Sequence, residues 1–163
     1  LLGKCLGGMT AGTFQALMML VIGAVAGVPI TPTLVVTMML ETLLIAFAVT
    51  ALGVAIASRM KSIQAFMAIM QVVLFPLFFA SGALYPLRGL PAWLEVLTRF
   101  DPLTYAVTPL RVAVLEASGQ GALAPMVTWG DFVVPIWLDL AIVAASAILA
   151  LRVALPSFSR TDA

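Results

Sequence analysis

Apolar residues fill this chain in long blocks, and its polar positions are bunched at the joints between them. Cys5 to Leu40 carries no charged residue. A helix needs about 20 apolar residues to cross the hydrocarbon core of a bilayer, so this block is too long for one crossing. The prolines of GVPITPT, Gly27 to Thr33, divide it. The pattern predicts a first span over residues 10–28 and a second over 34–57, with Glu41 inside the second. SRMKS, Ser58 to Ser62, reads as a tight basic connection. The third span is predicted from Ile63 to about Ala80, with Pro76 inside it, and the last over 132–155. The runs are apolar on every side and do not alternate every second residue. That favours membrane helices over barrel strands.

One segment breaks the pattern. Between the third and last spans, SGALYPLRGLPAWLEVLTRFDPLTYAVTPLR, Ser81 to Arg111, gathers Pro86, Pro91, Pro102 and Pro109 together with three arginines and two acids. Gly82 frees the backbone and Pro86 stops the span before it. Pro91 suits the first position of a helix, where its missing N–H costs nothing. From there Trp93, Leu94, Leu97 and Phe100 fall on one face, while Glu95 and Arg99 stand four apart on another. Asp101 is a good N-cap and Pro102 a good first residue, so a second short helix is predicted through Tyr105 toward Glu116, kinked at Pro109. Two such helices are too short to cross. Either they lie at the interface, anchored by Trp93 and Tyr105, or they dip into the bundle and line a cavity there. The fold expected is all-α: four transmembrane helices in one domain over residues 1–163, with a two-helix insertion over 81–116. A polar piece, EASGQGALAP, follows it.

Composition agrees with a lipid environment. Hydrophobic residues make up 63% and charged residues 9%, against about 45–50% and 25% in soluble domains. Mean hydropathy is +1.18. A net charge of +1 gives no footing for nucleic acid. With no His and the single Cys5, zinc and haem sites and His-based hydrolysis are poor fits. Charge placement predicts topology. If Lys4 is cytoplasmic, then Arg59, Lys61, Arg152 and Arg160 share its side, and the insertion faces out among mixed charges. The chain starts at Leu, without a signal peptide pattern, and is expected to be the C-terminal part of a longer protein.

Other features have bland and sharp readings. LLGKC lacks the Ser or Thr and the upstream glycines of a phosphate loop, so no nucleotide site is expected in it. Glu41 either meets a cationic substrate or relays protons, or it sits about two turns from the outer surface and is wetted there. Asp139 is read as wetted in the same way. Arg59 and Lys61 either anchor a cytoplasmic turn or, with Lys4, face a partner protein. GGMTAG and ALGVAIAS carry small residues that suit close helix packing. The nine Met residues are membrane-helix filler or the lining of a pathway for varied apolar molecules.

The stretch FPLFFASGALYPLRGLPAWLEVLTRFDPLTYAVTPLR, Phe75 to Arg111, resembles the C-terminal signature of ABC-2 type transporter permeases of the daunorubicin-resistance and nodulation-factor export type. The matching positions include Ser81, Gly82, Pro86, Pro91, Trp93, Pro102, Tyr105 and Arg111, in the family's order. LGK at Leu2 to Lys4 and GVAIAS before Arg59 extend the likeness over nearly the whole chain. Two positions depart: Asp101 stands where the family usually has Asn, and Thr108–Pro109 replaces the usual Asp-Ala. The resemblance implies a six-span permease, of which these would be the third to sixth spans. It also implies an insertion at the outer mouth, a second permease copy and a separate ABC ATPase. It implies export of an amphipathic drug-like molecule or a lipid-linked glycan across a bacterial or archaeal cytoplasmic membrane. A non-transporting scaffold, or an ion-coupled transporter working through Glu41, are the alternatives.

Overall fold

The computed structural model describes residues 2–83, 92–124, 126–129 and 132–159. Among the described residues six α-helices follow in order: α1 Leu2–Val25, α2 Pro32–Ala57, α3 Ile63–Ala80, α4 Ala92–Phe100, α5 Pro102–Ala117 and α6 Ile136–Ser159. Four of them, α1, α2, α3 and α6, are long and apolar enough to cross a membrane. Local chemistry sets the ends. Gly27 takes a φ of +92° in the turn after α1, a conformation that glycine adopts without strain. Thr31 caps α2 by accepting the Leu34 N–H at 3.2 Å, with Pro32 in the first turn. Ser62 caps α3 by accepting the Ala65 N–H at 3.2 Å.

The starts of α1 and α6 differ from the hydropathy pattern. α1 begins at Leu2 rather than near Thr10, because the glycine-rich start is itself helical and packed. Gly8 faces Thr50 and Gly12 faces Ala46 on α2, so closely that no Cβ fits between them. Small residues of this kind let membrane helices approach. α6 begins at Ile136 rather than at Phe132. Phe132 and Val133 instead form β2 of a two-residue hairpin with β1, Thr128–Trp129. The N–H groups of Leu138 and Asp139 then return to the Pro135 carbonyl.

α2 and α6 run side by side in the same direction. Near the α2–α3 turn, Ala51, Val54 and Ala55 pack on Ala150 and Ala154. Toward the other end, Leu44, Ile45 and Ala48 meet Leu138, Ile142 and Val143, together with Tyr105 and Ala106 of α5. Lys4, Arg59, Lys61 and Arg152 all fall at the turn end, by the antiparallel packing of α1 on α2 and the parallel course of α6. α3 is the least embedded span. Met67, Val72 and Phe75 are more than half exposed, and a groove of about 930 Å³ runs along α3, closed on one side by Leu103 of α5. Met67 and Met70 line it.

The insertion enters the bundle. Pro102, Leu103 and Ala106 line a small cavity with Val49 and Leu52 of α2, Leu74 of α3 and Ser146 of α6. Val49 stands about 12 Å from the Ala57 end of α2, at about 1.5 Å per residue. The start of α5 is therefore packed among α2, α3 and α6. Buried Thr104, Tyr105, Ala106, Thr108, Pro109 and Val112 form its inner face. The helix continues through Pro109, where the Thr108 hydroxyl donates to the Thr104 carbonyl at 2.8 Å.

Candidate functional site at the insertion end

The site is built where α3 ends against α5. A helix end leaves carbonyls without intrahelical donors, and α5 supplies them. The Thr104 hydroxyl donates to the Ala80 carbonyl at 3.3 Å, and the Arg111 guanidinium donates to the Gly82 carbonyl. Ser81 turns its hydroxyl back to the Phe78 carbonyl at 2.7 Å and accepts the Ala83 N–H at 3.3 Å. Gly82 is buried at a φ of +70°, so a side chain there meets backbone strain. Arg111, 29 residues beyond Gly82, thus closes a latch on the Ser81–Gly82 turn.

Asp101 begins α5 as expected from the Asp-Pro pair. Its Oδ1 accepts the Leu103 N–H at 2.9 Å and its Oδ2 accepts the Thr104 hydroxyl at 3.2 Å. Only 1% of it is exposed. Burial pushes its carboxyl up to about 6, although the hydrogen bonds from Leu103 and Thr104 pull the other way.

Tyr105 is not the interfacial anchor that its residue type suggested. It is fully enclosed, because α5 turns its Tyr face into the bundle. The hydroxyl donates to the Arg99 carbonyl at 2.6 Å and accepts the Trp129 indole N–H at 2.9 Å. The two rings meet edge to face at 6.4 Å and 88°. One side chain thereby ties α4, α5 and the β-hairpin together. Burial pushes its phenol above the ordinary value, the Trp129 bond lowers it, and the charge of nearby Asp139 raises it again. Tyr105→Phe is expected to cost about 1–3 kcal/mol, because it leaves a buried carbonyl and an indole N–H without their partner. Chemical denaturation of the full-length protein checks this, and the Trp129 emission should shift to the red.

Glu41 and Asp139 are also placed differently from the wetted reading. Glu41 is 6% exposed and Asp139 0%. Among the described residues, Oε2 of Glu41 and both carboxylate oxygens of Asp139 have no hydrogen-bond partner. The helices α2 and α6 pack against each other on the faces that carry them, which position in sequence does not reveal. Lys4, Arg59 and Lys61 lie at the opposite end and take no part in this site. Pro86 and Pro91 lie outside the described residues, as does the side chain of Trp93, which falls within α4. Sequence reasoning missed Thr104 and Trp129. Thr104 had a signal in its position beside the capping Asp101. Trp129 had none beyond being an aromatic in a polar connection.

The comparisons with known proteins agree with this architecture. The family described as "ABC-2 type transporter" matches over residues 1–115, which takes in α1 through α4 and nearly all of α5. The "Putative transport permease ycf38" of Cyanophora paradoxa is 30% identical over 99 residues, covering 60% of this chain and 34% of that protein. Its namesake in Porphyra purpurea is 30% identical over 90 residues, covering 55% and 31%. The chain thus spans about a third of the length of these relatives. No solved structure matches it significantly. With four helices fit to cross a membrane, an insertion that enters the bundle, and a family match over more than half its length, the chain belongs to the ABC-2 type transporter family.

Proposed function

We propose that this chain is part of the membrane-spanning subunit of an ATP-driven exporter. It does no covalent chemistry. A separate ABC ATPase binds ATP and Mg²⁺, and a second permease copy completes the pathway. Closure of the ATPase favours one of two arrangements of the spans, and differential contact in those two states carries the coupling. The cargo is an amphipathic small molecule or a lipid-linked glycan, moved out across a bacterial or archaeal cytoplasmic membrane. The observation that carries the reading is the family match over α1 to α5. The gathering of Lys4, Arg59, Lys61 and Arg152 at one end supports making that end cytoplasmic, where Lys and Arg collect. Arg59 and Lys61 then face the ATPase, and the latch of Ser81, Gly82, Asp101, Pro102, Tyr105 and Arg111 faces the outer mouth.

The test uses the full-length protein with its ATPase in proteoliposomes. Efflux of an amphipathic dye is expected to need ATP. It should stop when the phosphate-loop Lys of the ATPase is replaced, and survive collapse of the proton gradient. Efflux that persists without the ATPase and stops with the gradient makes the protein an ion-coupled transporter instead. Absence of efflux in every condition favours a scaffold.

A further inference from the structure

Two carboxyl groups sit in the apolar core of the insertion half of the bundle. Glu41 lies on the α2 face that also carries Ile45 and Ala48, the face turned to α6. Asp139 lies on the α6 face that carries Val143 and Ala147. Ile45 and Val143 line the same small cavity. One turn further toward the insertion end along each parallel helix brings Glu41 and Asp139 to the same level. Tyr105 stands beside Asp139 and is joined edge to face with Trp129.

An ionisable group inside a membrane bundle is costly and needs a counter-charge, a hydrogen-bond partner or water. Three of the four carboxylate oxygens here have no hydrogen-bond partner among the described residues, although their residues are more than nine-tenths buried. α1 and α3 bring no charge to this level: Cys5 to Leu40 and Ile63 to Ala80 contain none. Arg99 of α4 lies within electrostatic reach of Tyr105, yet no described residue donates a hydrogen bond to these three oxygens, and an aromatic ring stands next to Asp139. Carboxylates beside aromatic faces are the chemistry that recognises ammonium-type groups.

We propose that Glu41 and Asp139 are the charge-recognising part of a transport site for a lipophilic organic cation, with Tyr105 and Trp129 as its aromatic wall. This rests on the exporter reading for its role in transport, but not for binding itself. The site is closed in the arrangement described. Its opening is the change that alternating access requires.

The experiment separates binding from transport. Equilibrium dialysis with the full-length protein measures binding of tetraphenylphosphonium and of the neutral triphenylphosphine oxide. The wild-type protein is expected to prefer the cation. Glu41→Gln and Asp139→Asn should each weaken cation binding at least tenfold and leave the neutral probe unchanged, while Asp139→Glu retains the preference. The unchanged neutral probe reports that the variants are folded. No preference in the wild type, or a preference that survives both substitutions, overturns the proposal and leaves the two acids as protonated structural groups. Cation binding lost in the variants, with no ATP-dependent efflux of either probe, upholds the site and overturns the exporter reading. ATP-dependent efflux of both probes that ignores the substitutions does the reverse.

Discussion

Gly12→Leu is expected to prise α1 away from α2 and to destabilise the full-length protein by several kcal/mol. A Cβ built at Gly12 lies 2.7 Å from the Ala46 Cβ. Ala46 has no rotamer with which to yield, so the helices themselves must part. Overpacking of a tight interface costs about 1–3 kcal/mol, and Leu adds three carbons beyond that first clash. Even Gly12→Ala, which gains about 1 kcal/mol of helix propensity, is expected to lose on balance. Gly8 is a similar case: a Cβ there lies 2.1 Å from the Thr50 hydroxyl oxygen and 3.0 Å from its Cβ and Cγ2. No rotation of Thr50 removes all three contacts, because its Cβ does not move. Gly7 is the control. Nothing lies within 4 Å of its added Cβ, so Gly7→Ala should be neutral or stabilising by up to about 1 kcal/mol. Thermal unfolding of the full-length protein in mild detergent ranks the variants. Restoration of the Gly12→Ala loss by Ala46→Gly identifies the clash as the cause, since neighbours in contact are not additive. Equal behaviour of Gly7 and Gly12 variants would refute the packing argument.

That contrast also marks what the sequence made legible. Spans α2 and α3 were readable to within about two residues, because caps and prolines stand at their ends: Thr31 with Pro32, and Ser62. The Asp-Pro start of α5 was readable for the same reason. The start of α1 was not, because hydropathy counts glycines as weak members of a span, while packing makes Gly8 and Gly12 its tightest contacts. The site divides along the same line. A cap bonds to its own neighbours, so Asp101 was visible. The latch joins Gly82 to Arg111, and Tyr105 joins Arg99 to Trp129. Those contacts depend on where α5 packs, which composition leaves open between interface and interior. Glu41 and Asp139 show it most plainly. Distance from a helix end suggested wetting, but the face each occupies decides burial, and that face is set by the parallel pairing of α2 and α6.

Asp101→Asn is expected to stabilise the protein above about pH 6 and to change little near pH 4. The reason is a count of protons. The Thr104 hydroxyl has one hydrogen and two acceptors within reach, the Asp101 Oδ2 at 3.2 Å and the Ala80 carbonyl at 3.3 Å. With Asp101 ionised, Thr104 serves one and neglects the other. With Asp101 protonated, Oδ2 donates to Thr104, and Thr104 is free to donate to Ala80, so the chain from α5 to the end of α3 closes. Asn, the residue the family resemblance leads one to expect here, donates through its amide N–H₂ at every pH and still caps Leu103 through its oxygen. Burial has raised the Asp101 carboxyl from 3.8 to about 6. The folded state therefore binds more protons than the unfolded state between those values, and stability falls as pH rises through them. At about 1.4 kcal/mol per pH unit the loss is on the order of 3 kcal/mol. The Asn variant should lack this fall, so the stability difference between the two proteins grows from about pH 4 and levels off above pH 6. Taking the difference removes the contribution of every other titrating group. Asp101→Ala separates the two roles: it loses the cap, about 1–2 kcal/mol, and also loses the pH dependence. Unfolding midpoints of the three proteins from pH 4 to 8 decide it, and a constant difference between Asp and Asn across that range would show that the latch does not sense this proton.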